Sequence, residues 1–446
     1  MSPVCMFFGK LALPLLHIAR NEKRFIYNNR YKKNIQKTRI QIQSYQLERL
    51  KKLVVHAYHT VPYYREVFDH IQLKPSDIKG LSDITKIPVL EKRMILTNLE
   101  KLKSTKRYKL TEHTSGGSTG NKVTVYWDKR FEEITRAVWM RDLHLLGIEP
   151  GDKSAWIWGS PYETKPLQQK IIKKILWRLN RRIIFNTLHY TDEELRLWLT
   201  HDFRRFKPAY IYGYANPLCQ IARFILKNNM KIPKLKMVIS TAEKLNYREV
   251  MEEAFGCPVI NQYGCREVPV IAIEDRYKVM HTSDDYVIVE TDKDGRIIIT
   301  PLENFGMPLL RYVNGDMGTF RKESLEKSRS PFKSFNFEVG RIAEMLRNTK
   351  NERISFLPIG LKIAKETKTV NEFQLIQKSF RHVHLNIVSS SPIDDHDILI
   401  MKQIIAAKLG CEEITIDYHE SFPLEPSGKK IVFKCEIHED ETPTSI

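Results

Sequence analysis

The sequence predicts an α/β protein of two domains: a large N-terminal domain with a helical lead-in, mixed α/β sheets and a small antiparallel β appendage, then a smaller α+β C-terminal domain. Three observations carry this. Between residues 154 and 313, short runs rich in β-branched and aromatic residues (Trp156–Trp158, Tyr210–Tyr214, Met237–Ser240, Val259–Tyr263) alternate with helical stretches at 192–206, 216–229 and 246–255. That is the pattern of parallel strands covered by helices. Two turn signals then mark a different arrangement, with Asp294-Gly295 between Tyr286–Glu290 and Arg296–Thr300, and Asn314-Gly315-Asp316 between Leu309–Val313 and Met317–Arg321. Both read as antiparallel pairings. The polar segment 321–331 then leads to a boundary near Gly340-Arg341, which divides the chain into a lead-in (1–110), a core (111–340) and a small domain (341–446).

Taken in order, the lead-in is helical: Leu47, Leu50, Val54, Ala57 and Tyr58 recur at helical spacing over 44–68, and Pro62 predicts an end near His59. The apolar stretch Pro3–Ala19 is broken by Gly9, Lys10, Pro14 and His17, so it reads as neither a signal peptide nor a membrane span. With 446 residues, 42% hydrophobic and 28% charged, the chain can bury a large core, which excludes disordered and low-complexity classes. Its six scattered cysteines, with no C-x-x-C pair, fit a reducing, cytoplasmic setting.

The charge is uneven. The net charge is +19, yet residues 1–110 hold 23 basic and 8 acidic side chains, or +15 of that excess. Residues 165–182 add seven basic side chains and no acidic one, with Ile171, Ile175 and Leu179 forming one stripe of a helix. Residues 1–60 and 165–182 thus read either as contacts for an anionic membrane surface, peripheral at its inner face, or as solvated basic faces. No helix-turn-helix, zinc-finger or RNA-binding aromatic signature accompanies the charge, so nucleic acid is not expected as a partner.

The most informative segment is Thr114-Ser115-Gly116-Gly117-Ser118-Thr119-Gly120, where hydroxyls and backbone N–H groups can converge on an anion. It is not a P-loop, since Asn121 rather than Lys follows Gly120. Gly116–Gly120 satisfies G-x-S-x-G, but a nucleophile elbow needs a strand before it and a helix after it. Here Lys109–His113 is polar, and Val123–Trp127 reads as a strand.

Thr114–Gly120 resembles the phosphate-binding signature of the adenylate-forming (AMP-binding) superfamily, in the form found among phenylacetate–CoA ligase-like proteins. Tyr263-Gly264-Cys265-Arg266-Glu267, Arg311-Tyr312, Gly315-Asp316, Gly340-Arg341 and Ser427-Gly428-Lys429 follow in the order of that superfamily's later motifs. Arg49-Leu50, His56-Ala57, Val61-Pro62-Tyr63-Tyr64-Arg65 and Ile87-Pro88-Val89-Leu90 resemble CapK-type proteins of capsular and exopolysaccharide biosynthesis loci. The resemblance covers about residues 44–440 and leaves 1–43 outside it.

It implies ATP-dependent activation of a small carboxylic acid. A carboxylate must attack the α-phosphorus while pyrophosphate leaves, so negative charge has to be gathered and stabilised. In that scheme Thr114, Ser115, Ser118 and Thr119 hold phosphate oxygens, while Gly116, Gly117 and Gly120 let the backbone approach. Tyr263, beside Gly264, stacks on adenine, Glu267 supplies a carboxylate for Mg²⁺, and Asp316 accepts from the ribose hydroxyls. Glu243 lines the nucleotide pocket or simply sits at a helix start. Lys429, with Lys430 beside it, is the mobile charge bridging carboxylate and α-phosphate, delivered by closure of the C-terminal domain about a hinge next to Arg341. His281, Tyr212 and Tyr214 fall near the acyl site, although a lone histidine or a strand tyrosine is more often structural. Lys122, where the loop motif usually has proline, and Ala343-Glu344, where the hinge commonly has aspartates, depart from the pattern.

The expected function is adenylation followed by acyl transfer to CoA, a carrier's phosphopantetheine or another nucleophile, in cell-surface polysaccharide assembly. The rival is a silent nucleotide- or membrane-binding protein that keeps the fold.

Overall fold

A computed structural model describes residues 7–114, 123–159, 177, 179–187, 190–243, 245, 247–320, 330–339, 346–354, 356–367, 369–370, 372–388, 393–419, 433–437 and 441–443. Contacts divide the chain into two units: Met1–Gly117 with Lys122–Asn314 and Gly318–Asn336, and Ser118–Asn121 with Gly315–Met317 and Phe337–Ile446.

The first unit opens with helices at Leu13–Ala19, Arg24–Asn34, Arg39–Thr60 and Pro62–His70. The long helix starts earlier than its apolar spacing predicts, because a reciprocal cap fixes it: Gln41 N–H donates to Thr38 Oγ1 at 3.3 Å, and Thr38 N–H to Gln41 Oε1 at 2.9 Å. Pro62 ends it one residue beyond the expected His59 and opens the next helix at N1.

Strands β1 (Leu110–Thr114) and β2 (Thr124–Asp128) form an antiparallel hairpin with Thr114 opposite Thr124. The polar segment before the glycine-rich loop is therefore a strand, and a strand rather than a helix follows it. A nucleophile elbow is ruled out by that second strand.

Strands β3 (Ser154–Trp158), β4 (Arg182–Asn186), β5 (Tyr210–Tyr214), β6 (Met237–Thr241), β7 (Val259–Tyr263), β8 (Ala272–Glu274) and β9 (Met280–Thr282) make a seven-stranded sheet in the order β4-β3-β5-β6-β7-β8-β9. Strands β3 to β7 pair in parallel, and β8 and β9 run antiparallel at one edge. Alternation assigns the faces. Ala155, Ile157, Ile211, Val238 and Val259 pack with the helical stretch 192–206 and the helices Ala215–Lys227 and Arg248–Phe255. Tyr210, Met237, Ile239 and Ile260 pack with Leu143, Leu146 and Ile148 at and beyond the end of the helix Lys129–Leu145. Gly213 lets β5 pass close to β3, since a Cβ there would lie 2.8 Å from Ile157.

A second sheet runs β10 (Val287–Thr291), β11 (Arg296–Pro301), β12 (Tyr312–Phe320) and β13 (Phe335–Val339) in sequence order. The Asp294-Gly295 hairpin forms as expected, with Gly295 at φ 80°. Asn314-Gly315-Asp316 does not make a hairpin: Gly315 has φ 88°, but it lies inside the single strand β12, which has partners on both sides.

In the second unit, β14 (Leu346–Arg347) pairs with β15 (Arg353–Ile354). Strands β16 (Glu372–Gln377), β17 (His382–Val388), β18 (Glu413–His419) and β19 (Phe433–Cys435) form a sheet ordered β18-β17-β16-β19. Its inner face, Leu375, Val383, Leu385 and Ile387, packs with Ile359 and Ile363 of the helix Phe356–Glu366 and with Met401, Ile405 and Leu409 of the helix Asp395–Leu409. This is the α+β packing the sequence predicts. Among the described residues no helix is long and apolar enough to cross a membrane.

Candidate functional site

In the hairpin β1–β2, Thr114 is the last described residue before the glycine-rich segment, its hydroxyl 3.3 Å from that of Thr124 and 3.4 Å from Glu112 Oε1. Ser115, Gly116, Gly117, Ser118, Thr119 and Gly120 lie outside the described residues, as do Arg341 and Lys429.

The hairpin is tied to the Tyr263–Glu267 segment. Trp127 in β2 donates its indole N–H to the Glu267 carbonyl at 3.2 Å. The segment folds back on itself, with Cys265 N–H donating to the Val268 carbonyl at 2.9 Å. Gly264 is required there because a Cβ would run into the Pro269 carbonyl. Two side chains from β12 reach this turn. Tyr312 donates its hydroxyl to the buried Glu267 carboxylate at 3.0 Å, and Asn314 donates its amide to the Tyr263 hydroxyl at 2.6 Å. Tyr263 is itself buried at the carboxyl end of β7. Sequence reasoning missed Asn314, whose only signal is its place in the Arg311-Tyr312…Gly315-Asp316 motif. Asp316 lies two residues further along β12.

At the carboxyl end of β6 the backbone turns through Ala242, at the left-handed φ of 67° that a residue with a Cβ rarely adopts. The turn brings Glu243 against the first turn of the helix Ala215–Lys227, where it accepts from Asn216 N–H at 2.8 Å. Glu243 thus sits just beyond the carboxyl end of a parallel strand and at the start of a helix.

Tyr212 and Tyr214 belong to an aromatic layer on one face of the sheet. Trp158 lies 4.2 Å from Tyr214 and 5.5 Å from Tyr212 between ring centres, and Trp139 and Trp156 each lie 4.9 Å from Tyr212. Gln262, also missed from sequence, links this layer to the strand ends: it accepts from Thr241 at 2.5 Å and from Tyr212 at 3.4 Å, and donates to the Pro269 carbonyl at 2.7 Å. His281 is buried in β9 and held by Asp275 at 3.1 Å.

His113, in β1 just before the loop, stacks on Trp127 with ring centres 3.6 Å apart. Burial, reinforced by Arg266 and Arg136 and opposed by Glu132, lowers its pKa to about 4. The imidazole is neutral at pH 7, and the aromatic stack is its sequence-invisible partner.

Residues 348–435 match the CapK C-terminal domain family. Over 382 residues the chain is 25% identical to Protein CapK of Staphylococcus aureus, covering 82% of this chain and 83% of that one. Over 410 residues it is 24% identical to a phenylacetate-coenzyme A ligase of Thermus thermophilus, covering 83% and 90%. Among solved structures, 2-hydroxyisobutyryl-CoA ligase, captured in the postadenylation state with 2-HIB-AMP, superposes with a TM-score of 0.67 at 16% identity, covering 88% of this chain and 89% of the other. Residues 348–435 thus resemble the C-terminal domain of CapK-type proteins, and over 88% of its length the chain shares the fold of 2-hydroxyisobutyryl-CoA ligase.

Proposed function

We propose that this protein adenylates a small carboxylic acid with ATP and transfers the acyl group to CoA or another thiol, serving capsular or exopolysaccharide assembly. The observation that carries the reading is the junction of β2, β7 and β12, where Trp127, Tyr312 and Asn314 fix Glu267 and Tyr263 beside the hairpin that leads into the glycine-rich loop. Tyr263 and Gly264 would flank the adenine, Asp316 the ribose, and Thr114 to Gly120 the phosphates. Tyr212 and Tyr214 would bound the acyl group, with Trp158 packed against both.

The donor set fits Mg²⁺. The Tyr312 bond engages Glu267 Oε1, and among the described residues no hydrogen bond reaches the second carboxylate oxygen, which would be open to a cation. Among the described residues no group of three or more His, Cys, Asp or Glu could hold a metal alone, so the ion would share Glu267 with phosphate oxygens. Bound there, it would neutralise phosphate charge during displacement. Lys429 would supply the moving positive charge, and Arg341 would sit beside the hinge that delivers it. The division at 340/341 belongs to this proposal.

ATP–pyrophosphate exchange against a panel of carboxylic and sugar acids tests the reading. Exchange dependent on one acid, and lost in both Asp316→Ala and Lys429→Ala, is the expected result. Absence of acid-dependent exchange alongside measurable ATP binding would refute it.

A further inference from the structure

Residues 1–43 lie outside the resemblance, and residues 7–26 carry an unusual surface. Residues Phe8–Ala12 form a wide helical turn that runs directly into the helix Leu13–Ala19. Its inner side is fixed to the body of the first unit. Gly9 is buried so closely that a Cβ would strike the Pro150 carbonyl, Leu13 is 6% exposed, and buried His17 pairs with Glu22. Glu22 in turn pairs with Arg24, which donates to Glu133 at 3.1 Å on the helix Lys129–Leu145. The helix is docked through these contacts.

The opposite side is apolar and bare. Phe7, Leu11, Leu15 and Ile18, spaced four, four and three residues apart, fall on one helical stripe and are 55%, 50%, 56% and 59% exposed. Ile26 on the following helix is 61% exposed. A contiguous apolar stripe of this kind marks a binding surface.

The charge around it says what covers it. Residues 7–47 hold nine Lys and Arg (Lys10, Arg20, Lys23, Arg24, Arg30, Lys32, Lys33, Lys37, Arg39) and a single acidic residue, Glu22, which is buried and paired. Lys10, Arg20, Lys23, Arg30 and Lys33 are exposed. A protein partner could match the apolar stripe. An apolar stripe in a segment with exposed cations and no exposed carboxylate instead fits acyl chains beneath anionic headgroups.

We propose that the helix Phe8–Ala19 lies in the plane of an anionic lipid bilayer, with Phe7, Leu11, Leu15 and Ile18 inserted at the headgroup–acyl boundary and the neighbouring lysines and arginines on lipid phosphates. The inference is independent of the enzymatic reading, since it uses no residue of the proposed site.

The test is flotation of the full chain with vesicles of phosphatidylcholine alone or mixed with phosphatidylglycerol, comparing wild type with Leu11→Glu/Leu15→Glu and with Ile18→Glu. Wild type should float with the mixed vesicles and be released by high salt, while the double variant binds at least about tenfold more weakly. Because these positions are exposed, the variants should keep the wild-type melting profile, and Ile18→Glu gives a second reading should the double variant melt early. No flotation of wild type, or equal flotation of the variants, overturns the proposal. So does a dimer in solution that Leu11→Glu/Leu15→Glu converts to monomer, which would assign the stripe to a second copy.

Discussion

His113 shows how one side chain can report on the loop it precedes. In the unfolded chain its imidazole takes a proton near pH 6.5, whereas the folded protein, with the ring half-buried and stacked on Trp127, holds it neutral down to about pH 4. Between those values the unfolded state binds more protons, so stability rises with pH and is lost on acidification. The expected cost from pH 7 to pH 4 is up to about 3 kcal/mol from this group alone. His113→Gln should flatten that limb, measured as urea midpoints across the range. An unchanged pH profile in the variant would mean that the ring is hydrated in solution. Gly264 is the opposite case, a residue whose value is the absence of a side chain, since any Cβ meets the Pro269 carbonyl and displaces the turn between Tyr263 and Glu267.

At the scale of elements, the hairpin β1–β2 is anchored by one carboxylate. Asp128 caps the helix Lys129–Leu145 by accepting from Phe131 N–H at 2.8 Å, and its other oxygen accepts from Phe305 N–H at 2.7 Å and Gly306 N–H at 2.9 Å. Asp128→Ala would orphan three amides at a site only 2% exposed, at a cost of about 3 kcal/mol or more. Hydrogen exchange should show the Phe305 and Gly306 amides losing protection first. Elements with strong local signals were legible: Tyr210–Tyr214 and Val259–Tyr263 form strands with the predicted limits, because alternation and β-branched content act within the segment itself. Leu110–Thr114 was not legible, because its polar Leu-Thr-Glu-His-Thr run becomes a strand only through register with β2. Asn314-Gly315-Asp316 misled for the same reason: a left-handed glycine is as useful for bending one strand as for reversing the chain, and only β11 and β13 decide between the two. Buried charge was equally hidden, as with Arg141, fully enclosed and paired at 2.9 Å with Asp285, 144 residues away.

For the molecule as a whole, the proposed chemistry draws on both units. Glu243, Tyr263 and Glu267 belong to the first, and Asp316 and Lys429 to the second. Attack of a carboxylate on the α-phosphorus gathers negative charge from two anions, and Lys429 is proposed to neutralise it. Attack of a thiol on the finished acyl-adenylate brings no second carboxylate to that phosphorus, so the same lysine has less to stabilise. Lys429→Ala should therefore slow adenylation by about 100-fold or more while reducing thioester formation from a supplied acyl-adenylate by less than about tenfold. The two rates are read separately by pyrophosphate release and by chromatography of the thioester. Equal losses in both would mean that Lys429 contributes to binding the adenylate rather than to the first displacement. A selective loss would assign it to that step and leave ATP binding with the groups of the first unit and Asp316.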